Sequence, residues 1–255
     1  MSNLVVTDVH EGVMTLTINR PDARNALDYA TALALAQALD QMDGDDSVVI
    51  GILTGAGNSF SAGMDLKAFA KTGERPLVEG RGLGGLCEKG PQKPLIAAVE
   101  GYALAGGFEL ALACDLIVAA ENATFGLPEV KRGLVASSGG LLRLPKRIPY
   151  HIAMEVILTG DMFPAQRAFE YGLINRLTEP GKALETAREL AHVVAQNGPM
   201  AVRVAKEIVG RSENWRSDEM YDIQRPYITR VFTSEDAKEG ATAFAEKRKP
   251  VWKGR

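Results

Sequence analysis

Two short apolar runs, Val48 to Leu53 and Leu95 to Val99, each end in a glycine-bearing loop, Thr54-Gly55-Ala56-Gly57 and Glu100-Gly101-Tyr102-Ala103, and each leads on to a helix-like segment. Short apolar runs bounded by turn residues read as strands. A repeated strand, loop and helix requires α/β architecture with crossover connections, right-handed where the strands are parallel. The alternation at Val13-Met14-Thr15-Leu16-Thr17-Ile18 predicts another strand, broken by Arg20-Pro21-Asp22-Ala23 before an Ala- and Leu-rich helix from Tyr29 to Met42. Leu116 to Ala120 supplies a further strand. From about Tyr150 the apolar spacing becomes helical, over Ile152 to Leu158, Ala165 to Tyr171 and Ala183 to Arg211, so the C-terminal third is expected to be all-helical. The stretch Lys71 to Gly90, with six glycines and several charges, is the weakest for regular structure and reads either as a mobile flap or as a surface helix with ragged ends.

Several functional classes fall away on composition. The chain is 255 residues long, enough to bury a real core, and no apolar run approaches the roughly 18–20 residues that span a bilayer. Residues Met1 to Glu11 alternate apolar with polar and include Asp8, which is not the pattern of a secretory signal. Cys87 and Cys114 are too few for a disulfide framework, so both read as free thiols in a reducing compartment, the cytoplasm. With a formal charge of −3 and basic residues scattered outside Glu246-Lys247-Arg248-Lys249, no broad footprint for nucleic acid is expected. His10, His151 and His192 have no metal-ligand spacing, and no metal is predicted. Phe60 stands where a dinucleotide fingerprint needs its third glycine, and neither Ser61 nor Ser137 and Ser138 sits in a Gly-x-Ser-x-Gly elbow.

The chemistry concentrates in two loops. Asn58 to Leu66 follows a strand and enters a helix, leaving backbone N–H groups without helical partners, and Gly101 to Glu109 repeats the arrangement with Gly106 and Gly107 open to a ligand. Either loop alone reads as a tight turn. Side by side they would form an oxyanion hole.

These loops, together with Asn19-Arg20-Pro21, Asn25-Ala26-Leu27, Phe125-Gly126-Leu127-Pro128-Glu129 and the ending Phe244 to Pro250, resemble the crotonase family, also called the enoyl-CoA hydratase and isomerase family. The resemblance covers nearly the whole chain. It implies a crotonase-like (ClpP/crotonase) α/β fold of repeated ββα units, with an α/β core over residues 1–195 and a C-terminal helical oligomerisation region over 196–255. It also implies a homotrimer or a hexamer built as a dimer of trimers, in which residues near Lys247 reach a neighbour's ligand.

For the site, the resemblance implies a thioester carbonyl held by the Met64 and Gly106 amides. Glu109 and Glu129 match the glutamate pair that hydratases keep, whereas one carboxylate alone would favour isomerisation. Glu109, in the first turn of a predicted helix, is expected to be held ionised by the helix dipole and to act as base. Glu129 follows Pro128 in a loop with Phe125, Leu127 and Val130, where desolvation raises its pKa above the ordinary ~4.3 and suits it to an acid. Taken singly, each would read as a plain surface charge. Coenzyme A contacts fall by resemblance on Arg24, Ala26, Ala62, Asp65 and Lys67, and coenzyme A is part of the substrate, so no separate cofactor is expected. Ser137 departs from the family pattern, standing where glycine is usual, and its side chain is expected to narrow the pocket, redirect the water or be tolerated. The activity implied is reversible hydration of a 2-enoyl-CoA thioester. Isomerisation or carnitinyl-CoA dehydration is the alternative on the same scaffold, and a non-catalytic binding protein is the alternative of another class.

Overall fold

The computed structural model describes residues 3–255. Strand β1 (Val5–His10) turns back at Glu11 and Gly12, both at positive φ, and pairs antiparallel with β2 (Val13–Ile18). A short 3-10 turn (Pro21–Ala23) precedes α1 (Tyr29–Gly44), whose Asp28 cap accepts from the Thr31 amide. Then follow β3 (Ile50–Gly55), α2 (Leu66–Thr72), the two-residue strands β4 (Leu77–Val78) and β5 (Gly82–Leu83), and β6 (Leu95–Val99). Next come β7 (Tyr102–Leu104), α3 (Gly106–Ala113), β8 (Leu116–Ala120), β9 (Thr124–Gly126), a 3-10 turn (Pro128–Arg132) and α4 (Gly140–Arg147). The rest of the chain is α5 (Tyr150–Thr159), β10 (Phe163–Pro164), α6 (Ala165–Glu170), β11 (Arg176–Thr178), α7 (Ala183–Ala195), α8 (Pro199–Ser212), α9 (Met220–Phe232) and α10 (Glu235–Glu246).

The main sheet has six strands in the order β1-β2-β3-β6-β8-β11, parallel from β2 onward. Both of its faces are buried, so its central strands are apolar without alternation. Met14, Leu16, Ile18, Leu53, Ala97 and Val99 join the larger core, while Val13, Ile50, Ile52, Ile96, Ala98 and Val118 pack against Ala187 and Ala191 of α7.

A second, smaller sheet, β10-β9-β7, reveals the repeat. β6 passes to β7 and then α3, and β8 passes to β9 before α4: one strand in each sheet, then a helix. Two earlier passes keep only a single bridge of their second strand, Leu27 to Met64 and Ser61 to Ala103. These bridges bring the two glycine-rich loops together.

The expected elements need four corrections. β7 stands between β6 and its helix, because Tyr102-Ala103-Leu104 finds a partner in β9. The C-terminal third also contains β10 and β11, both too short to show a period in sequence. The run from Ala183 to Arg211 is two helices, interrupted at Gln196 to Gly198, with Pro199 starting the second where its missing N–H costs nothing. The stretch Lys71 to Gly90 is neither flap nor helix alone. It ends α2, forms the β4–β5 hairpin and buries Leu83, Leu86 and Cys87, with Gly85 set so close to Ala36 of α1 that no side chain fits. Gly82, Gly84 and Gly85 serve packing, whereas Gly73 and Gly80 meet no neighbour and supply positive φ. Cys87 and Cys114 are buried free thiols whose ionisation burial pushes up.

Candidate active site

The two loops are tied together bond by bond. The Leu27 amide donates to Gly63 O (2.8 Å) and Asp65 N to Leu27 O (2.8 Å), while Ser61 N donates to Tyr102 O (2.9 Å) and Leu104 N to Ser61 O (3.0 Å). Ser61 Oγ donates to Asn25 O (2.8 Å) and accepts from Gly63 N (3.1 Å), and the wholly buried Asn25 holds Ala56 O and Ser59 O through its amide. Among the described residues, the Met64 and Gly106 amides have no protein acceptor. They lie close together: a Cβ on Gly63 would sit 2.8 Å from Gly106 N, and one on Gly106 would sit 3.6 Å from Met64 N. Gly63 has φ +86°, which a side chain resists.

Ala105, just before α3, is held at φ 50° and ψ −126°. A non-glycine residue there costs about 1–3 kcal/mol, and such strain survives only where surrounding bonds impose it. Its own amide is anchored to Gly126 O (2.9 Å), so the strained turn fixes the direction of the next amide, that of Gly106.

Both glutamates face one cavity of about 560 Å³, which Ala62, Met64, Gly106, Ser137 and Ser138 also line. Glu109, on the first turn of α3, is 3% exposed, and its Oε1 accepts from Ser138 N (2.6 Å) and Gly140 N (2.9 Å). Burial pushes its pKa above the ordinary range, and those two amides with Arg143 and Arg75 oppose the shift without reversing it. Sequence pointed to the helix dipole as what favours the charged form of Glu109; the structure adds these two backbone amides, set against a burial that raises the pKa.

Glu129 lies on the 3-10 turn, not in an open loop. Its carboxyl is pushed up to about 7, first by burial, against the pull of its own backbone amide; the Glu109 charge adds to the rise and Arg132 opposes it. Its Oε2 is buried with no hydrogen-bond partner among the described residues. An unpartnered buried carboxylate oxygen favours the protonated form and leaves a donor free for a ligand.

The remaining expected residues divide. Ala62 and Ser137 line the cavity, whereas Arg24, Ala26, Asp65 and Lys67 do not. The Asp65 carboxylate is engaged within the protein: it caps α2, accepting from Lys67 N (3.1 Å) and Ala68 N (3.0 Å), and binds Arg20 at 2.9 Å. Arg24 stacks over the Tyr102 ring at 5.6 Å. Sequence reasoning missed Arg75 and Arg132, which line the cavity, and Arg143, which donates to Cys87 O (2.6 Å) beside Glu109's amides. It also missed that the backbone of Ser138-Gly139-Gly140 holds Glu109; the paired glycines were the only signal of a backbone put to use.

Known proteins resemble this chain along its whole length. A crystal structure of enoyl-CoA hydratase from Mycobacterium tuberculosis H37Rv matches with a TM-score of 0.97 at 58% identity, covering 100% of both chains. One of carnitinyl-CoA hydratase from Mycobacterium avium matches with a TM-score of 0.80 at 42% identity, also over 100% of both. Carnitinyl-CoA dehydratase of Salmonella typhi is 45% identical over 251 residues, 95% of each chain. The family model described as Enoyl-CoA hydratase/isomerase matches residues 8–255, and with the expected crotonase fold in place the chain belongs to the enoyl-CoA hydratase/isomerase family.

Proposed function

We propose that this protein is a 2-enoyl-CoA hydratase, adding water reversibly across the 2,3 double bond of an enoyl thioester. The observation that carries the reading is the meeting, in one cavity, of two unpaired amides and two carboxylates in different settings, Glu109 fixed by two backbone amides and Glu129 with a buried oxygen that has no partner. The Met64 and Gly106 amides receive the thioester oxygen and stabilise the negative charge that develops there. Ionised Glu109, steadied by two amides, takes a proton from water as the oxygen adds to C3. Protonated Glu129 gives its proton to C2 as the enolate collapses. The chemistry requires no group beyond the coenzyme A of the substrate.

Coenzyme A is assigned to the mouth of the cavity, along Ala62 in its lining and Arg24, Ala26, Asp65 and Lys67 beyond it. The Asp65 carboxylate also shapes α2. For assembly we infer a trimer, or two trimers stacked, through the helical region from residue 196. The large exposed apolar side chains there, Phe244 (88%), Phe232 (79%) and Tyr221 (72%), support it, and light scattering tests it. A cytoplasmic location fits two free thiols.

The similarity to carnitinyl-CoA dehydratase supports a second reading, which runs the same proton transfers in reverse on a different acyl group. Incubation with a panel of enoyl-CoA esters, read by loss of the conjugated thioester absorbance and by product mass, tests the proposal. A water adduct is expected. A mass-neutral shift of the double bond would make the protein an isomerase, and binding without turnover of any ester would leave the scaffold a non-catalytic binder.

A further inference from the structure

The cavity carries two cations that hydration does not use. Arg75 and Arg132 line it together with the glutamates, and among the described residues neither forms an ion pair. Arg75 gives one bond, Nη2 to Ser137 Oγ at 3.0 Å, and Arg132 gives none. Arg20, Arg81 and Arg248, by contrast, each hold a carboxylate. A role in tuning the glutamates does not account for the pair, since Arg75 and Arg132 exert the smallest of the effects on Glu109 and Glu129 respectively. The rest of the wall is largely apolar, with Leu66, Phe69, Leu83, Leu134 and Val135.

Guanidinium forks suit carboxylates and bind them bidentately. A quaternary ammonium group wants the reverse, a cage of aromatic faces or a spare carboxylate. The lining offers it one aromatic ring, Phe69, and no carboxylate beyond the two that move protons.

We propose that the acyl group taken by this cavity ends in a carboxylate held by Arg75 and Arg132, so that the substrate class is a coenzyme A monothioester of an unsaturated dicarboxylic acid. This rests on the enoyl-thioester reading of the site and deepens it. The same arginines could meet an anion from another source, the phosphates of coenzyme A itself, and the test separates the two.

The experiment is calorimetric binding of three saturated thioesters to the full-length protein: valeryl-CoA (neutral), glutaryl-CoA (anionic) and 4-trimethylammoniobutyryl-CoA (cationic). Glutaryl-CoA is expected to bind at least about tenfold more tightly than valeryl-CoA, with the cationic ester weakest. Arg75→Met and Arg132→Met should each pull the glutaryl-to-valeryl ratio toward one. Equal affinities, or tightest binding of the cationic ester, would overturn the proposal in the wild-type protein without any variant. Variants that weaken all three esters alike would place the arginines on the coenzyme A phosphates and overturn it too. Saturated esters cannot be hydrated, so this result stands apart from the turnover assay on which the hydratase reading depends.

Discussion

Glu109 and Glu129 share a cavity and a residue type but not a setting. Glu109 Oε1 is fixed by two backbone amides at 2.6 and 2.9 Å, whereas Glu129 Oε2 is buried with nothing to bond. Burial raises both carboxyls, yet only Glu109 has donors that favour its charged form strongly. The base and acid roles proposed for the pair thus rest on the donors around one type of side chain.

The sharpest way to break this comparison is to remove the charge and keep the shape. Glu109→Gln and Glu129→Gln should each lower kcat by about 100- to 10,000-fold, as loss of a general base or acid does. Near-normal turnover in either variant removes that residue from the mechanism. Oxyanion geometry comes next. Gly63→Ala forces a Cβ to 2.8 Å from Gly106 N at a backbone φ of +86°, pushing the two loops apart. A kcat loss of roughly 100- to 1,000-fold is expected, comparable to deleting one oxyanion donor.

Stability separates the two carboxyls further. Replacing Glu109 with Leu strands the Ser138 and Gly140 amides, costing about 1–3 kcal/mol for each that stays dry. Glu129→Leu releases only its own backbone amide and removes a buried oxygen without a partner, and denaturant titration should show it less destabilised than Glu109→Leu near neutral pH. The pH dependence gives the sign. A carboxyl raised from 4.5 to about 7 binds its proton more tightly in the folded state, so wild type loses stability as pH rises between those values. Glu129→Gln should therefore gain in Tm over wild type above neutrality and converge with it in mild acid. In the hydration direction, kcat/KM should fall above about pH 7 as Glu129 ionises and fall again in acid as Glu109 protonates.

How much of this was legible in sequence follows from what each feature depends on. The strands at Val48 to Leu53 and Leu95 to Val99 were legible because burial on both faces leaves an apolar run in any context. β7, β9 and β10 were not, since two or three residues carry no period and exist only through their pairing. The glutamates, Met64 and Gly106 were reachable through loop motifs, for a strained turn and an exposed amide demand particular small residues. Arg75 and Arg132 were invisible. Nothing local marks a surface arginine as facing a cavity, and Arg75 lies in the stretch where the pattern was weakest. Asp65 shows a different limit: it sits in a family motif, and sequence could not show that its carboxylate is taken up by its own helix and Arg20.

The smallest expected effect tests whether the two carboxyls can be moved separately. Ser137 stands where glycine is usual in the family, yet its side chain fills no interior space: it lies exposed at the cavity and accepts from Arg75. Ser137→Gly removes one exposed hydrogen bond, and both stability and rate on a short enoyl ester should stay within about threefold, the equivalent of roughly 0.5 kcal/mol. Arg75, freed from that hydroxyl, holds its charge less firmly near Glu109, whereas the cation that acts on Glu129 is Arg132. The acid limb of the rate profile should therefore drift upward slightly while the alkaline limb stays in place. If both limbs move together, the two glutamates titrate as one coupled pair, and the separate base and acid must be rewritten as a single shared proton.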